Sequence, residues 1–521
     1  MKNINSICSV FLFVVFACQG TNDKTSKPNI ILIYADDLGI GLLEHEGQQI
    51  IKTPNIDKLS SEGIRFSNAY SCMFCAPARA SLITGLHDCH NPGFEISNAG
   101  IYKKISTGEK TQQEIEELIN SRLSPIPDKQ IFLAQIAKNA GYTTGQIGKL
   151  EWGFATTHSQ LKRHGWDYYF GYMDHVRAHG FYPPFLIKNG DIVEYKGNKL
   201  INCGKTGEPE TNDIYNKRWD MSKRETYSQT VFMEAALEFI KTNKDRPFFL
   251  YFPTQLPHGP VAIPEVHSDF VNDKRLTEIE KEYASMVKLL DDNIGEIMHS
   301  LKELKIDDNT IVIFTSDNGH EIYYTQEGRI IKPYTNINTG ERFDNIQNKY
   351  YSNLSGDIFD GNGGRAGLKR SNLEGGIKVP LLIRWPAKIK PASESLRLTA
   401  NYDLLSSIAE LCGYKGELVT DGLSFAGELA QGNNNKKQHE YILFSSFEGP
   451  VLITDDGWKL RSLISHDKFE LYYLPDDFRE ESDLSLQYPE KISSLKELML
   501  QSCDQDFKNG YYRTSNQIRI E

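Results

Sequence analysis

Short, largely apolar runs alternate along this chain with longer helical patterns, and this alternation restricts the fold more than any other feature. The clearest apolar runs cover residues 28–35, 248–252, 310–316 and 379–385. Such short runs are typical of strands in a parallel sheet that helices cover on both sides. The main helical patterns lie at residues 56–62, 131–140, 227–242 and 277–304. We therefore predict an α/β domain with a large mixed, mostly parallel sheet and helices on both faces.

The sequence pattern changes beyond about residue 430. Closely spaced apolar segments follow there, at residues 441–447, 450–454, 458–464 and 469–474. Tight turns between them are typical of an antiparallel meander, and a helical pattern follows near residues 489–503. We predict a smaller C-terminal α+β domain with an antiparallel sheet. The predicted division is an export segment and linker at 1–27, a large domain at 28–430 and a C-terminal subdomain at 431–521.

The N-terminal residues have the character of an export signal. Lys2 precedes an apolar run at residues 7–17 that is shorter than a membrane span. The run ends with Ala17 directly before Cys18, which is typical of a bacterial lipobox in which the cysteine becomes the lipid-bearing N-terminus. The alternative is an ordinary signal peptide with an incidental cysteine. We expect a periplasmic or outer-membrane-associated lipoprotein of a Gram-negative bacterium, attached to the membrane by lipid on Cys18.

Charge and cysteine content restrict the partners of the chain. The formal net charge of −11 argues against nucleic acid as a partner. An acidic protein that binds an anion must concentrate its cations locally. The chain has eight cysteines, of which Cys8 and Cys18 fall in the export segment, and the others show no metal-type spacing. A dense disulfide framework is not expected in a chain of this size, although one bridge stays open.

Two of the predicted strands end in pairs of oxygen-bearing side chains. Asp36 and Asp37 follow the first strand, and Asp317 and Asn318 follow a later one. Sheets of this type bind ligands beyond the carboxyl ends of their strands. Oxygen ligands suit a hard cation, Ca²⁺ before Mg²⁺, and not zinc. One pair alone fits a loop cap or a solvated surface equally well, but two pairs favour a metal site.

The stretch from Cys75 to Gly85 carries the most specific motif, Cys-Ala-Pro-Ala-Arg-Ala-Ser-Leu-Ile-Thr-Gly. It resembles the signature of the formylglycine-dependent (type I) sulfatases of the alkaline phosphatase superfamily, in particular exported bacterial carbohydrate sulfatases. Members of that family also carry Asp-Asp after the first strand and Asp-Asn-Gly after a later one, as this chain does. The resemblance runs from about residue 28 to residue 477 and covers nearly the whole mature chain.

The resemblance implies a modified nucleophile at position 75. In the family, a maturation enzyme oxidises this cysteine to formylglycine, whose hydrate attacks the sulfate sulfur with help from the metal. Cys75 would then join the four oxygen ligands at the metal. Arg79 lies one helical turn from Cys75 and matches the family arginine that holds the formylglycine near the metal.

Two lysines and a histidine match family positions that contact the sulfate ester. Lys149 follows Gly148, and Lys369 lies at the family spacing before Glu374. His258 matches the family histidine next to the ester, and histidine can donate a proton to a leaving group near neutral pH. We assign Lys369 and His258 together as sulfate clamp and leaving-group acid.

The chain departs from the family at one position. The family sequence Gly-Lys-Trp-His-Leu-Gly is replaced by Gly-Lys-Leu-Glu-Trp-Gly at residues 148–153, so that Glu151 stands where a histidine contacts the formylglycine hydroxyl. A carboxylate can accept the proton that must leave this group. We therefore hypothesise that Glu151 is a base of the site, and the alternative is that it only props the loop.

A polar and aromatic insert at residues 152–184 points to a glycan substrate, because sugars present hydroxyls and a flat C–H face. We predict a sulfatase that acts on a sulfated sugar or glycan. The alternatives are a phosphate or phosphonate ester hydrolase of the same superfamily and a catalytically impaired glycan-binding lipoprotein. Each candidate substrate contact could instead be a packing residue; the candidates are His175, Arg177, His179 and His320.

Overall fold

Two β-sheets organise the chain in the computed structural model. The structure describes residues 27–91, 100–122, 130–151, 155–205, 220–324, 349–354, 356–429 and 437–510. The predicted export segment, including Cys18, therefore lies outside the described residues apart from Lys27. No helix within these ranges is both long enough and apolar enough to cross a membrane.

The large sheet has ten strands in the spatial order β10-β2-β9-β8-β1-β7-β3-β4-β5-β6. Its central strands are parallel, because β1 pairs in parallel with both β7 and β8, and β3 pairs in parallel with β7 and β4. Strand β9 is antiparallel to both of its neighbours, and the edge formed by β4, β5 and β6 is antiparallel, whereas β10 and β2 at the other edge are parallel. The strands are β1 Asn29–Ala35, β2 Ile64–Tyr70, β3 Thr143–Gly148, β4 Tyr168–Gly171, β5 Phe185–Lys188, β6 Asp191–Glu194, β7 Phe248–Pro253, β8 Thr310–Ser316, β9 Leu381–Arg384 and β10 Ser393–Ala400.

Strand β1 shows why the sheet needs a cover on both faces. All seven of its residues are buried, and alternate side chains belong to different cores. Ile31 and Ile33 lie in one hydrophobic cluster, whereas Ile30 and Leu32 lie in the other. Each fully buried aliphatic side chain contributes about 1.5–3 kcal/mol. The predicted mostly parallel sheet with helices on both faces is confirmed.

The helices that cover the sheet agree with the predicted helical patterns. The longest, Glu278–Glu303, begins at Thr277, whose backbone N–H donates to the Glu280 carboxylate at 2.8 Å in a capping box. Among the described residues the α-helices are α1 Pro54–Ser61, α2 Cys75–Thr84, α3 Lys103–Ser106, α4 Gln112–Arg122, α5 Leu133–Asn139, α6 His158–Arg163, α7 Ser228–Asn243, α8 Ser268–Val271, α9 Glu278–Glu303, α10 Glu374–Ile377, α11 Asp403–Cys412 and α12 Pro489–Ser502.

The C-terminal region forms a separate four-stranded antiparallel sheet in the order β11-β12-β13-β14. Leu495 and Met499 of α12 pack against this sheet in a small hydrophobic cluster. The predicted α+β character of this region is confirmed. The exact boundary near residue 430 stays a prediction, because residues 430–436 lie outside the described ranges. The strands are β11 Tyr441–Phe444, β12 Val451–Thr454, β13 Trp458–Leu463 and β14 Lys468–Tyr473.

Candidate active site

The two predicted pairs of metal ligands lie side by side at one edge of the large sheet. Strands β1 and β8 are neighbours in register, with Ala35 opposite Ser316, so the residues that follow them meet. The backbone N–H of Asp37 donates to Asp317 Oδ1 at 3.1 Å, and Asn318 Nδ2 donates to Asp37 Oδ1 at 2.7 Å. All of these side chains are buried.

This cluster leaves oxygen atoms free to bind a cation. Within the described residues, Asp36 Oδ1 and Asn318 Oδ1 are buried and make no hydrogen bond. Burial and the charge of Asp36 raise the pKa of Asp317 to about 8, which reflects crowding of carboxylates. A divalent cation would relieve that repulsion and supply the missing partners. The donor set therefore fits a hard metal ion.

Cys75 is the first residue of helix α2 and points into this cluster. Its side chain is 2% exposed, and ligand atoms of Asp36, Cys75 and Asp317 lie within 4.8 Å of one another. Pro77 falls in the first turn of the helix, where a missing N–H breaks no helical hydrogen bond. Burial raises the pKa of the Cys75 thiol. The unmodified side chain is therefore neutral and would be a poor nucleophile.

Arg79 lies one turn along the same helix and faces the same side. Its Nη2 donates to Asp317 Oδ2 at 2.9 Å and lies 3.6 Å from Asp36 Oδ2. Its guanidinium lies over the ring of Tyr34, 5.4 Å from the centroid. Arg79 therefore lies beside the predicted metal ligands, and its expected contact with a formylglycine at position 75 stays a prediction.

Two lysines complete a cationic shell around the carboxylates. Lys149, which follows β3, donates from Nζ to Asp36 Oδ2, and Lys369 Nζ donates to Asp37 Oδ2 at 2.7 Å. Burial acts to lower the pKa of Lys369, but the charge of Asp37 outweighs it and raises the pKa. Both ammonium groups are buried, so an acidic chain here concentrates positive charge around one small volume.

His258 lies beside Lys369 at the same edge. Its Nδ1 is 2.5 Å from the carbonyl oxygen of Gly259, and its Nε2 is 3.3 Å from Lys369 Nζ and 3.4 Å from Asp37 Oδ2. Burial, reinforced by the charge of Lys369, holds the pKa of His258 well below its usual value. The imidazole is therefore neutral, with Nε2 directed towards the cluster.

Two of the four predicted substrate contacts lie at the site. His175 Nε2 is 3.4 Å from Cys75 Sγ. The ring of His179 lies 4.5 Å from that of His175 and stacks on that of His258 at 4.4 Å. These three imidazoles line the space beside Cys75. Burial, followed by the charge of Lys149, holds the pKa of both His175 and His179 well below the usual value.

The other two predicted substrate contacts are packing residues. Arg177 is buried with its guanidinium 3.8 Å from the centroid of the Phe185 ring, and its Nη2 donates to the Phe185 carbonyl oxygen at 2.8 Å. His320 is fully buried, and its Nε2 lies 2.9 Å from the Tyr324 hydroxyl. Both side chains are directed into the protein interior. The alternative interpretation given above, packing rather than substrate contact, describes them better.

Glu151 does not take the place of the missing histidine in the structure. Its two carboxylate oxygens accept hydrogen bonds from His164 Nδ1 and Trp166 Nε1, and all three side chains are buried. Trp166 in turn stacks on Tyr251, with 6.0 Å between the ring centroids. This geometry favours the loop-propping interpretation and gives no support to Glu151 as a base. The histidine that contacts Cys75 is His175.

Sequence reasoning missed one close contact of the metal ligands. The hydroxyl of Tyr323 donates to Asp37 Oδ2. Burial acts to raise the pKa of Asp37, but Lys369, Tyr323 and Asn318 together hold it below its usual value. Tyr323 follows Asn318 in an irregular segment, where no periodic pattern indicates the direction of a side chain. The only signal for it in the sequence is the pair of tyrosines a few residues after Asn318.

Comparison with known proteins gives a consistent result. The family described as sulfatase matches residues 28–414, and the family described as N-sulphoglucosamine sulphohydrolase, C-terminal, matches residues 367–505. An N-acetylgalactosamine-6-O-sulfatase of Bacteroides thetaiotaomicron is 28% identical over 96% of this chain and 99% of its own length. The human N-acetylgalactosamine-6-sulfatase is 29% identical over 80% of this chain and 68% of its own length. The crystal structure of Ps i-CgsB has the same fold, with a TM-score of 0.67 and 24% identity over 94% of this chain and 95% of that one.

Proposed function

The chain belongs to the sulfatase family, and we propose that it hydrolyses sulfate monoesters of a sulfated sugar or glycan through a formylglycine made from Cys75. The observation that supports this most is the meeting of Cys75, the carboxylates and the cations in one buried cluster. A sulfuric ester hydrolase needs a nucleophile, a metal and fixed positive charge for the sulfate oxygens. Each of these requirements has a candidate side chain within the cluster.

We propose that Asp36, Asp37, Asp317 and Asn318 hold Ca²⁺ together with the group at position 75. The unpaired oxygens of Asp36 and Asn318 support this set. A cation held by these residues would act as a Lewis acid, and the hydrated aldehyde made from Cys75 would offer a hydroxyl as the nucleophile for the sulfate sulfur. A formylglycine-generating enzyme is then an obligatory partner, since burial keeps an unmodified Cys75 neutral.

The cations of the site would bind the sulfate group. Arg79 and Lys149 lie against the proposed metal ligands, and Lys369 lies between Asp37 and His258. Sulfate oxygens placed among these groups would be stabilised as negative charge builds up in the transition state. An anionic ester beside His258 also favours its protonated form, against the effect of burial. His258 Nε2 is thus the proposed donor to the departing sugar oxygen.

His175, and not Glu151, is the proposed partner of the group at position 75. His175 Nε2 is the nitrogen in contact with Cys75 Sγ, and burial keeps the imidazole neutral and able to accept a proton. Glu151 is occupied with His164 and Trp166. The histidine that the family carries after its lysine is therefore replaced from a different loop of this chain.

The named relatives suggest which substrate to test first. Both the bacterial and the human relative are named as N-acetylgalactosamine-6-sulfatases. We propose a sulfated amino sugar, with the sulfate at a primary position, as the first candidate. Export and lipid attachment through Cys18 remain proposals drawn from the sequence of residues 1–27.

The direct test is a panel of defined sulfated mono- and oligosaccharides, assayed with protein co-produced with a formylglycine-generating enzyme. Desulfation of at least one sugar, lost in Cys75→Ala, is the expected result. Matched phosphate and phosphonate esters separate the two hydrolase functions. Binding of sulfated glycans without turnover by fully oxidised protein would support the impaired, glycan-binding alternative. Peptide mass spectrometry must show the aldehyde at position 75, and active protein with an unmodified thiol would contradict the mechanism.

A further inference from the structure

Tyr323 contacts both a proposed metal ligand and the proposed proton donor. It follows Asn318 in a segment without regular secondary structure, and its side chain is buried. Its hydroxyl donates to Asp37 Oδ2, and the centroid of its ring lies 5.2 Å from that of the His258 ring. One side chain is therefore in contact with two groups of the site that have different proposed roles.

The two carboxylate oxygens of Asp37 have different surroundings. Oδ2 accepts hydrogen bonds from the Tyr323 hydroxyl and, at 2.7 Å, from Lys369 Nζ. Oδ1 accepts from Asn318 Nδ2 at 2.7 Å, so it lies beside another proposed ligand. Donors that hold one oxygen of a carboxylate set the rotation of the whole group and thus the direction of its other oxygen. Hydrogen bonds of this kind orient a metal ligand for its ion.

The backbone of Asp37 also depends on these contacts. Its φ is 62°, in the left-handed region that residues other than glycine adopt infrequently. Such a conformation persists only where the surrounding structure determines it. The backbone N–H of Asp37 donates to Asp317 Oδ1 at 3.1 Å, and its side chain is held by the three donors Tyr323, Lys369 and Asn318. Loss of one donor should therefore affect the position of the ligand before it affects the fold.

The ring of Tyr323 packs against the segment that carries His258. The planes of the two rings are tilted by 38°. Gly259 follows His258, and a Cβ at Gly259 would collide with the Tyr323 ring, so glycine is what allows the ring to lie so close to this backbone. The ring of His179 also stacks on His258, with 4.4 Å between centroids. These two contacts limit the rotation of the His258 imidazole.

We propose that Tyr323 is a positioning residue with two separable parts. Its hydroxyl orients Asp37 for the metal ion, and its ring orients His258 for proton donation to the leaving group. The hydroxyl is then required for metal affinity, and the ring is required for turnover once the metal site is filled. This inference rests on the proposed sulfatase function and adds to it a residue that lies outside the Asp-Asn-Gly motif.

The Ca²⁺ affinity tests the role of the hydroxyl without any turnover. Titration calorimetry on metal-depleted protein should show about tenfold weaker Ca²⁺ binding by Tyr323→Phe than by wild type, because loss of a partner of a metal ligand lowers affinity by about 10–100-fold. Tyr324→Phe is the matched control, since Tyr324 is also buried but its hydroxyl donates to Asp357 Oδ1 at 2.7 Å. This control should bind Ca²⁺ like wild type. Equal affinity in wild type and Tyr323→Phe would overturn the role of the hydroxyl.

Kinetics at saturating Ca²⁺ test the role of the ring. Tyr323→Phe keeps the ring and should have a kcat close to that of wild type, whereas Tyr323→Leu should lower kcat about tenfold because His258 is no longer held in place. Equal kcat values in these two variants would overturn the role of the ring. Lower melting temperatures without a change in Ca²⁺ affinity or kcat would mean a purely structural role and would overturn the inference. Wild-type protein that binds no Ca²⁺, or that desulfates no ester, would instead reject the proposed function itself.

Discussion

Two buried clusters of charged side chains in this protein differ in whether their polar atoms are all hydrogen-bonded. One is the active-site cluster described above. The other lies in the C-terminal region around Arg461, which donates from Nη2 to Glu448 at 2.6 Å and from Nη1 to Glu470 at 2.8 Å. Its Nε donates to Asn372 Oδ1. Every polar hydrogen-bonding atom of this guanidinium therefore has an acceptor.

The active-site cluster is not satisfied in this way. Oxygen atoms of Asp36 and Asn318 and the Nε of Arg79 are buried without a hydrogen-bond acceptor or donor among the described residues. The pKa values point in opposite directions: Asp317 is raised to about 8, and Glu470 is lowered to about 2. We call the cluster around Arg461 the closed cluster, because its donors have acceptors, and the active-site cluster the open cluster, because some of its buried polar atoms have no hydrogen bond. Polar groups that are buried and fully hydrogen-bonded serve the fold, whereas buried polar atoms without a partner mark a place where a ligand can bind. The five predictions below test this distinction.

Removing the proposed nucleophile should have the largest effect, and this effect should be on catalysis and not on stability. We expect Cys75→Ala, in oxidised preparations, to lower kcat by at least about 10⁴-fold, because no other side chain can replace a covalent nucleophile. The melting temperature should change little, since the substitution is small. Cys412→Ala, at another buried cysteine, is the control and should retain activity. Residual activity near the wild-type level would rule out Cys75 as the nucleophile.

Metal removal should affect only the open cluster. Chelation should lower kcat by about 10³-fold, with recovery on addition of Ca²⁺, because the proposed role of the metal is to activate the nucleophile. Saturating Ca²⁺ should also stabilise the fold by about 2–3 kcal/mol, seen as a rise in melting temperature. Asp36→Asn should lose this shift. Glu470→Gln, in the closed cluster, should keep it, and a loss there would break the distinction between the two clusters.

Removing the Arg461 guanidinium from the closed cluster should lower the free energy of unfolding and leave kcat unchanged. Arg461→Met removes one cation and leaves Glu448 and Glu470 buried without it, which should cost about 3–5 kcal/mol in urea unfolding. The activity per folded molecule should remain at the wild-type level. A loss of kcat without loss of stability would show that the Arg461 cluster also serves catalysis.

The pair His175 and Glu151 tests which side chain replaces the missing histidine. His175→Ala should lower kcat about 10²-fold with little change in stability, as expected for the loss of a proton acceptor. Glu151→Gln should leave kcat within a few-fold and cost about 1–3 kcal/mol of stability, because it weakens buried hydrogen bonds to His164 and Trp166. The reverse pattern would restore Glu151 as the base.

Acid should weaken the closed cluster by the smallest amount. Burial acts to raise the pKa of Glu470, but Arg461 and Tyr472 outweigh it and lower the pKa from 4.5 to about 2. Since the folded-state pKa lies below the unfolded one, this contribution is complete above pH 4.5 and is lost as the pH falls towards 2. Allowing for partial exposure, we expect about 1–2 kcal/mol. Urea unfolding at neutral and acid pH should show that the free energy of unfolding falls more steeply with decreasing pH in wild type than in Glu470→Gln.

The sequence predicted the centre of the fold better than its edges. Strands β1, β7 and β8 are apolar on both faces, so their runs stand out. Strand β3 contains Thr143, Thr144 and Gln146, which are not apolar, and it was not predicted although most of it is buried. One of these polar side chains is paired across the fold, since the Thr144 hydroxyl donates to the Gly165 carbonyl oxygen at 2.7 Å. Such partners are set by tertiary structure and leave no periodic signal.

The same division holds for the site. Residues that follow a strand or lie one helical turn apart, such as Asp36, Asp317 and Arg79, are positioned by regular geometry and could be predicted. Side chains in irregular loops could be predicted only where the family resemblance supplied them, as for His258 and Lys369, because the direction of such side chains depends on what they contact after folding. Glu151 was expected to face the nucleophile and instead meets Trp166. His175 was expected to meet the sugar and lies against Cys75.

The burial of helix α2 has a consequence for the order of events in the cell. All ten residues of the helix are buried, and Cys75 is 2% exposed. A second enzyme cannot bind a segment that is buried in this way, so the proposed oxidation of Cys75 must take place before the large domain folds. The proposed oxidation of Cys75 then competes kinetically with folding. A chain that folds first is locked as a stable but inactive product, and the yield of working protein depends on the relative speed of the two processes.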